Sequence, residues 1–154
     1  MQWKPNVTVA AIVCKNNRYL LAEEMDKSGI SVFNQPAGHL EQGETLIDAV
    51  KREMLEETAR QFHPEYLTGI YLRPDPDSGI TYLRFCFYGS CSEPDPNRPL
   101  DTGIIRTVWM TQNDMQTSID QMRSPLVMLS LQDFLSGKRY PLDILNSLIP
   151  TDTH

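Results

Sequence analysis

One stretch limits what this chain can fold into more than any other. Residues 38–44 read Gly-His-Leu-Glu-Gln-Gly-Glu, and residues 45–60 continue Thr-Leu-Ile-Asp-Ala-Val-Lys-Arg-Glu-Met-Leu-Glu-Glu-Thr-Ala-Arg. Thr45 with Asp48 three residues on resembles a capping box, and no Gly or Pro interrupts residues 45–59, so the spacing predicts a helix after a glycine-flanked loop. At about 100° per residue, Leu46, Val50 and Met54 share one side with Ile47 beside them, a stripe suited to packing on a sheet. Glu53 and Glu57 project in the same general direction, with Glu56 at the edge. The acidic groups extend the inward stripe instead of opposing it.

A helix that only had to be stable would not be built this way. Glu53 and Glu57 are like charges at i,i+4, Glu56 joins Glu53 at i,i+3, and each pair costs about 0.2–0.5 kcal/mol. All three sit in the last turns, where the helix dipole disfavours anions. Arg52 can reach Glu56, but one guanidinium does not neutralise three carboxylates. A hard divalent cation held by carboxylate oxygens would, and Mg²⁺ in such places keeps waters and bridges to substrate phosphates. A solvated charged helix end is the plainer reading of a lone Glu pair. The shared direction of the three, and the loop before them, favour the cation.

The spacing is long and fixed: Gly38, five residues, Glu44, seven residues, Arg52-Glu53, two residues, Glu56-Glu57. It resembles the Nudix box, the signature of hydrolases that act on a diphosphate linked to another moiety. The last two places differ, with Ala59 and Arg60 where the family pattern has Gly and an apolar residue. Glycine there would supply a left-handed helix terminus, which Ala adopts at a cost of about 1 kcal/mol.

The resemblance implies that Glu53, Glu56 and Glu57 bind Mg²⁺, with Mn²⁺ as an alternative and the Gly38 carbonyl as a further ligand. Arg52 then orients Glu56, and Glu44 fixes the loop, since outer groups hold the ligands in place. For the general base the family often uses an acid on a loop before the strand that carries a tryptophan. Asp101 stands in that neighbourhood, Gly103 occupies a place where an acid would be expected, and Glu56 is a second candidate. Asp101 reads equally well as the start of a turn. Arg84 and Arg123 are candidate phosphate contacts or, singly, surface ion-pair partners. His39 follows the loop glycine and could touch substrate or serve a hydrogen-bonded structural role.

Around the box, the chain reads as alternating extended segments and short helices. Residues 7–13 and 19–22 are apolar and β-branched runs around Lys15, Asn16, Asn17 and Arg18, a hairpin signal. A short extended segment over residues 32–35 leads into Pro36. Residues 64–73 and 80–90 are two strands around a Pro- and Asp-rich turn, and the alternation in the second leaves one buried face and one toward a helix or the site. Residues 92–101 form a long loop with three prolines, and long ordered loops are often functional. Residues 104–110 read as a strand, and Thr111 to Asp114 can start a short helix. Leu126, Leu129, Ser130 and Phe134 have helical spacing over residues 124–135, with Pro125 in the first turn and Gly137 as the stop. The tail packs from residue 140 and frays at Thr151.

A box helix on one face and the later helix on the other make the fold class α/β: a Nudix-like α/β/α sandwich with a mixed sheet, in a single domain over residues 1–154. Lys4-Pro5, Val7 to Ala10, Leu83-Arg84-Phe85, the strand ending at Trp109, Arg123 to Leu126, and Gly137 with Tyr140-Pro141-Leu142 resemble the NudJ-type branch of the family.

Composition narrows the partners. The net charge of −6 argues against a nucleic-acid or anionic-membrane binder, because phosphate backbones are held by basic surface. No stretch is long and apolar enough to span a bilayer, and the first residues lack a secretory apolar region. Cys14, Cys86 and Cys91 lack metal or disulfide spacing and read as buried reduced thiols, which suits a cytoplasmic protein. His39, His63 and His154 do not cluster. The expected partner is a small phosphorylated substrate, and the protein is expected to be a monomer. Two functions compete within the family, release of phosphate from nucleoside di- or triphosphates or a thiamine-precursor pyrophosphate, and pyrophosphohydrolysis of nucleotide sugars or dinucleoside polyphosphates. A Nudix-fold ligand sensor without catalysis is the third, motivated by Ala59-Arg60.

Overall fold

The computed structural model describes residues 1–150, so the expected fraying at Thr151 lies outside the described residues. In chain order the elements are β1 (Asn6–Ile12), β2 (Cys14–Lys15), β3 (Arg18–Met25), β4 (Ser31–Asn34), β5 (Ala37–His39), α1 (Leu46–Thr58), β6 (Phe62–Pro74), β7 (Thr81–Cys91), β8 (Ile104–Thr111), α2 (Gln112–Thr117) and α3 (Pro125–Leu135). Short 3₁₀ turns follow α2 and α3.

The strands form two sheets where one was expected. The first runs β5-β1-β7-β6 and is mixed, because β1 pairs parallel with β7 and antiparallel with β5. The second is antiparallel, with β3 between β8 on one edge and β2 and β4 on the other. The hairpin is real but smaller than the apolar runs suggest. Asn16 and Asn17 take positive φ of 53° and 60°, a backbone Asn tolerates better than most residues. Only β2 pairs across that turn; β1 belongs to the other sheet, and the chain changes sheets at buried Val13.

Both faces of β1 are covered. Val9 and Ala11 pack toward α1 with Val50, Met54, Leu67 and Phe87, while Ala10 and Ile12 pack toward α2 and α3 with Cys86, Met115, Val127 and Leu131. A strand buried on both faces reads as a continuous apolar run. In α3 the buried positions are Leu126, Val127, Met128, Ser130 and Leu131, whereas Leu129 is exposed. The expected spacing through Leu129 is therefore corrected: the helix turns its Val127–Leu131 side to the core. Of the three thiols only Cys86 is fully buried; Cys14 and Cys91 are half-buried. Leu142 and Leu145 pack against the α1-side core, and Tyr140 bridges Leu67, so the tail docks as expected.

Helix α1 begins as its sequence predicts, and Ala59, where the box pattern has glycine, still supplies its left-handed end. The Thr45 hydroxyl accepts from the Asp48 N–H at 3.0 Å, and Ala59 is left-handed at φ 59° and ψ 25°. Ala59 is also 3% exposed. Relief of the left-handed strain by glycine is worth about 1 kcal/mol, but losing the buried methyl costs about 0.8 kcal/mol. Ala59→Gly is therefore expected to shift Tm by less than about 2 °C, and a rise of more than about 4 °C in a thermal melt would show that packing of the methyl contributes nothing.

Candidate active site

Four pieces of chain meet at the C-terminal half of α1. Strand β5 pairs with β1 so that Gly38 lies opposite Val9, which fixes the Ala37-Gly38-His39 backbone beside the helix. A Cβ at Gly38 would collide with the Glu53 carboxylate. Glycine is needed here for close approach, and it brings the Gly38 backbone against the Glu53 carboxylate from the middle of α1.

Arg52 is the hub of the cluster. Its Nε and Nη2 donate to the two Glu44 carboxylate oxygens at 3.0 and 2.8 Å, Nη1 donates to Glu53 at 2.7 Å and to Glu56 at 3.2 Å, and Nη2 donates to the His39 carbonyl at 2.9 Å. Glu44 also accepts from the Glu41 N–H at 2.8 Å, which closes the loop, and Gly43 takes the positive φ of 86° that the turn requires. The two-pronged Arg52 bond holds the Glu44 carboxyl below its usual range. The expectation that Arg52 reaches Glu56 and that Glu44 braces the loop matches these distances.

Glu57 sits apart from the hub. It is 8% exposed, and one oxygen accepts from the Ala37 N–H at 2.8 Å. Burial pushes its carboxyl up to about 8, against that hydrogen bond, with Glu24, Glu53 and Asp101 adding repulsion. Burial likewise raises Glu53 to about 7 despite Arg52, with Glu56 and Asp101 adding to the rise. Two carboxylates that burial and like charge keep from ionising easily, beside a third, lack positive charge.

Among the described residues no three acidic, His or Cys side chains converge at metal-ligand spacing. The reason is visible in the hydrogen bonds: Glu53 and Glu56 turn toward Arg52, and Glu57 turns toward Ala37. The donor set itself is hard, consisting of carboxylate oxygens beside the Gly38 backbone, and the raised carboxyls mark a deficit of cation. That chemistry fits Mg²⁺ or Mn²⁺.

The other expected residues fall at different distances from this cluster. Asp101 ends the long loop, donates its N–H to the Glu56 carbonyl at 2.9 Å, and lies close enough to raise both Glu53 and Glu57. The His39 ring is exposed and lies 6.4 Å from the Tyr82 ring. Arg123 is exposed and donates to Glu24 at 2.8 Å. Arg84 is 5% exposed and donates to Gln35 at 2.6 Å and to Asn34 at 3.4 Å; its Nε has no partner. It lies under the surface, where burial lowers its guanidinium.

Sequence reasoning missed Glu24 and Gln35. Glu24 lies next to the end of β3 and contributes to the rise at Glu57; the signal was an acidic pair near the end of an apolar strand. Gln35 donates its amide to the Val127 carbonyl at 2.9 Å and accepts from Arg84, tying α3 to the segment before Ala37. No local pattern marks such a residue, because its partners come from distant elements.

Comparison with known proteins agrees with the geometry. A family model described as the NUDIX domain matches residues 4–128. Phosphatase NudJ of Escherichia coli strain K12 is 36% identical over 143 residues, which cover 93% of this chain and 92% of that protein. A solved NUDIX hydrolase from Nitrosomonas europaea is 49% identical and superposes with a TM-score of 0.94, covering 96% of this chain and all 100% of that one. The MutT NUDIX hydrolase from Burkholderia pseudomallei, 20% identical with a TM-score of 0.72 over 85% of this chain and 98% of its own, shares the fold. The loop-and-helix cluster at Gly38 to Glu57 thus stands in a protein similar to hydrolases along nearly its whole length, and the chain belongs to the Nudix hydrolase family.

Proposed function

We propose that this protein is a Mg²⁺-dependent phosphohydrolase of small diphosphate compounds, namely nucleoside di- or triphosphates or a thiamine-precursor pyrophosphate, and that it releases inorganic phosphate. The observation that carries the reading is the set of three carboxylates on α1, two of them buried with raised carboxyls, against the Gly38 backbone. The similarity to proteins named Phosphatase NudJ supports phosphate as the product.

Glu53, Glu56 and Glu57, with the Gly38 carbonyl, would hold the cation. Bound there, a divalent cation would supply charge to neutralise substrate oxygens and would lower the pKa of a bound water, giving a nucleophile at neutral pH. Arg52 keeps Glu53 and Glu56 on one side of the helix, and Glu44 keeps Arg52 in its plane. Proton removal from the attacking water falls to Glu56, the most exposed of the three with 29% of its side chain open, or to Asp101 beside it. Water then attacks phosphorus in line with the leaving phosphate oxygen. Arg123 at the rim suits a substrate phosphate, and His39 a substrate edge; Arg84 acts on the site through Gln35. Among the described residues no helix is long and apolar enough to cross a membrane, and all three thiols are free.

A panel of nucleoside di- and triphosphates, a thiamine-type pyrophosphate, a nucleotide sugar and a dinucleoside polyphosphate, assayed with Mg²⁺ for each released product, tests the proposal. Orthophosphate from the first three is the expected result. Nucleoside monophosphates from the last two would move the function to the pyrophosphohydrolases, and no turnover on any substrate would leave a sensor.

A further inference from the structure

Arg60, a departure from the box pattern, makes no hydrogen bond or ion pair with the glutamates of α1, and its side chain lines a cavity of its own. Arg60 is 8% exposed and lines a cavity of about 390 Å³ together with Lys15, Asn16, Arg18, Glu93 and Trp109. Its guanidinium lies 5.3 Å from the centre of the Trp109 ring. Nη1 donates to the Ser92 carbonyl at 3.1 Å and approaches the Cys91 sulfur at 4.0 Å, while the buried Nε has no partner. Among the described residues neither Arg60 nor Arg18 forms an ion pair with a carboxylate. Arg18 is exposed, and its charge also reaches Asp114, whose carboxylate is already committed to the Thr111 cap.

The charge balance of this cavity opposes that of the whole chain. Three cations, Lys15, Arg18 and Arg60, face one acid, Glu93, which pairs with Lys15 at 3.2 Å across an exposed surface. The net charge of the protein is −6. A buried guanidinium held only by an aromatic face, a sulfur and one carbonyl is costly unless an anion joins it. The Asn16-Asn17 turn projects Lys15 and Arg18 toward the cavity from the hairpin tip. None of Glu44, Glu53, Glu56 or Glu57 lines this cavity.

We infer that this cavity is a binding site for a phosphoryl-bearing small anion, separate from the carboxylate cluster, with Arg60 and Arg18 as its phosphate contacts. Guanidinium donors match phosphate oxygens. A cavity of about 390 Å³ exceeds a bare phosphate and lies in the range of small-molecule sites, so a phosphomonoester of mononucleotide size fits best. The inference does not depend on the proposed catalytic reaction.

Titration calorimetry on the whole protein in EDTA, with inorganic phosphate in one arm and adenosine monophosphate in the other, tests it. The expected result is saturable one-site binding that weakens about tenfold or more in Arg18→Glu and in Arg60→Met, and is unchanged in Glu57→Gln. Arg18 is on the surface, so its variant reports even if Arg60→Met folds poorly. Equal affinity for the two ligands identifies the phosphoryl group as the whole determinant, and preference for the nucleotide adds its body; both uphold the site. No saturable binding, binding in Arg18→Glu equal to wild type, or loss of binding in Glu57→Gln would overturn it.

Discussion

Glu57→Gln is expected to abolish the proposed Mg²⁺-dependent phosphate release while leaving the fold intact. Glutamine matches the shape of Glu57 and can still accept the Ala37 N–H bond of 2.8 Å, so β5 keeps its place. What disappears is the carboxylate oxygen proposed as a metal ligand. Loss of an outer partner of a metal ligand typically costs about 10- to 100-fold in activity or affinity, and loss of the ligand should cost more. The same change removes a carboxyl pushed up to about 8 by burial, so the metal-free variant should be more stable than wild type above that pH. Activity and stability are thus expected to move in opposite directions, and phosphate release at the wild-type rate would sink the assignment of Glu57.

Arg52→Ala is the second large effect, and it acts on the fold as well as the chemistry. Arg52 is the partner of Glu44, Glu53 and Glu56 at 2.7–3.2 Å, and only 22% of its side chain is exposed. Breaking a buried pair by removing one partner costs about 3–5 kcal/mol; partial exposure here points to the lower end. At that size, about 3 kcal/mol, Tm falls by roughly 6–12 °C in a protein of this length. Turnover is expected to fall about 10- to 100-fold, because Glu53 and Glu56 lose their orientation. Denaturant unfolding and kcat read the two effects separately. A variant with full activity and unchanged stability would show that the glutamates hold their places without Arg52.

The helix and its loop were legible because their information is local. Thr45 and Asp48 announce the start of α1, Leu46, Val50 and Met54 announce its buried side, and the spacing from Gly38 to Glu57 announces a known chemistry. The exit was less readable: Ala59 and Arg60 depart from the box pattern, and only the structure shows Ala59 taking the left-handed conformation. The division into two sheets was not readable. Residues 7–13 and 14–15 look like one strand, and only the pairing of β1 with β7, more than seventy residues on, separates them. Arg84 illustrates the same limit at the site. An arginine alternating with aromatics on β7 reads as a phosphate contact or a surface ion-pair partner, yet Gln35 and Asn34 from β4 and its exit hold it under the surface. Leu129 was misplaced for a related reason: spacing gives a helical side, but the packing of Val127 and Leu131 against β1 and β3 decides which side is inward.

The central claim is that the acidic end of α1 is built for a cation, and the pH dependence of stability tests it. The ordinary carboxyl value for glutamate is 4.5, and in the folded protein Glu53 and Glu57 stand at about 7 and about 8. Between pH 4.5 and 8 the folded protein therefore binds more protons than the unfolded chain, so its stability falls as pH rises through that window. At about 1.4 kcal/mol per unit, even partial expression of these shifts is worth on the order of 3 kcal/mol. The carboxyls held below their usual range, such as Glu44 and Asp114, titrate below this window and leave it clear. The measurement is thermal unfolding from pH 5 to pH 8.5 in EDTA and again in saturating Mg²⁺. Without the ion, Tm should drop by roughly 6–12 °C between the two pH limits; Mg²⁺ should restore most of it at pH 8.5, by about 2.7 kcal/mol at a hundredfold excess over Kd, and do little at pH 5. A flat or rising Tm in EDTA, unmoved by Mg²⁺ at pH 8.5, would contradict the account.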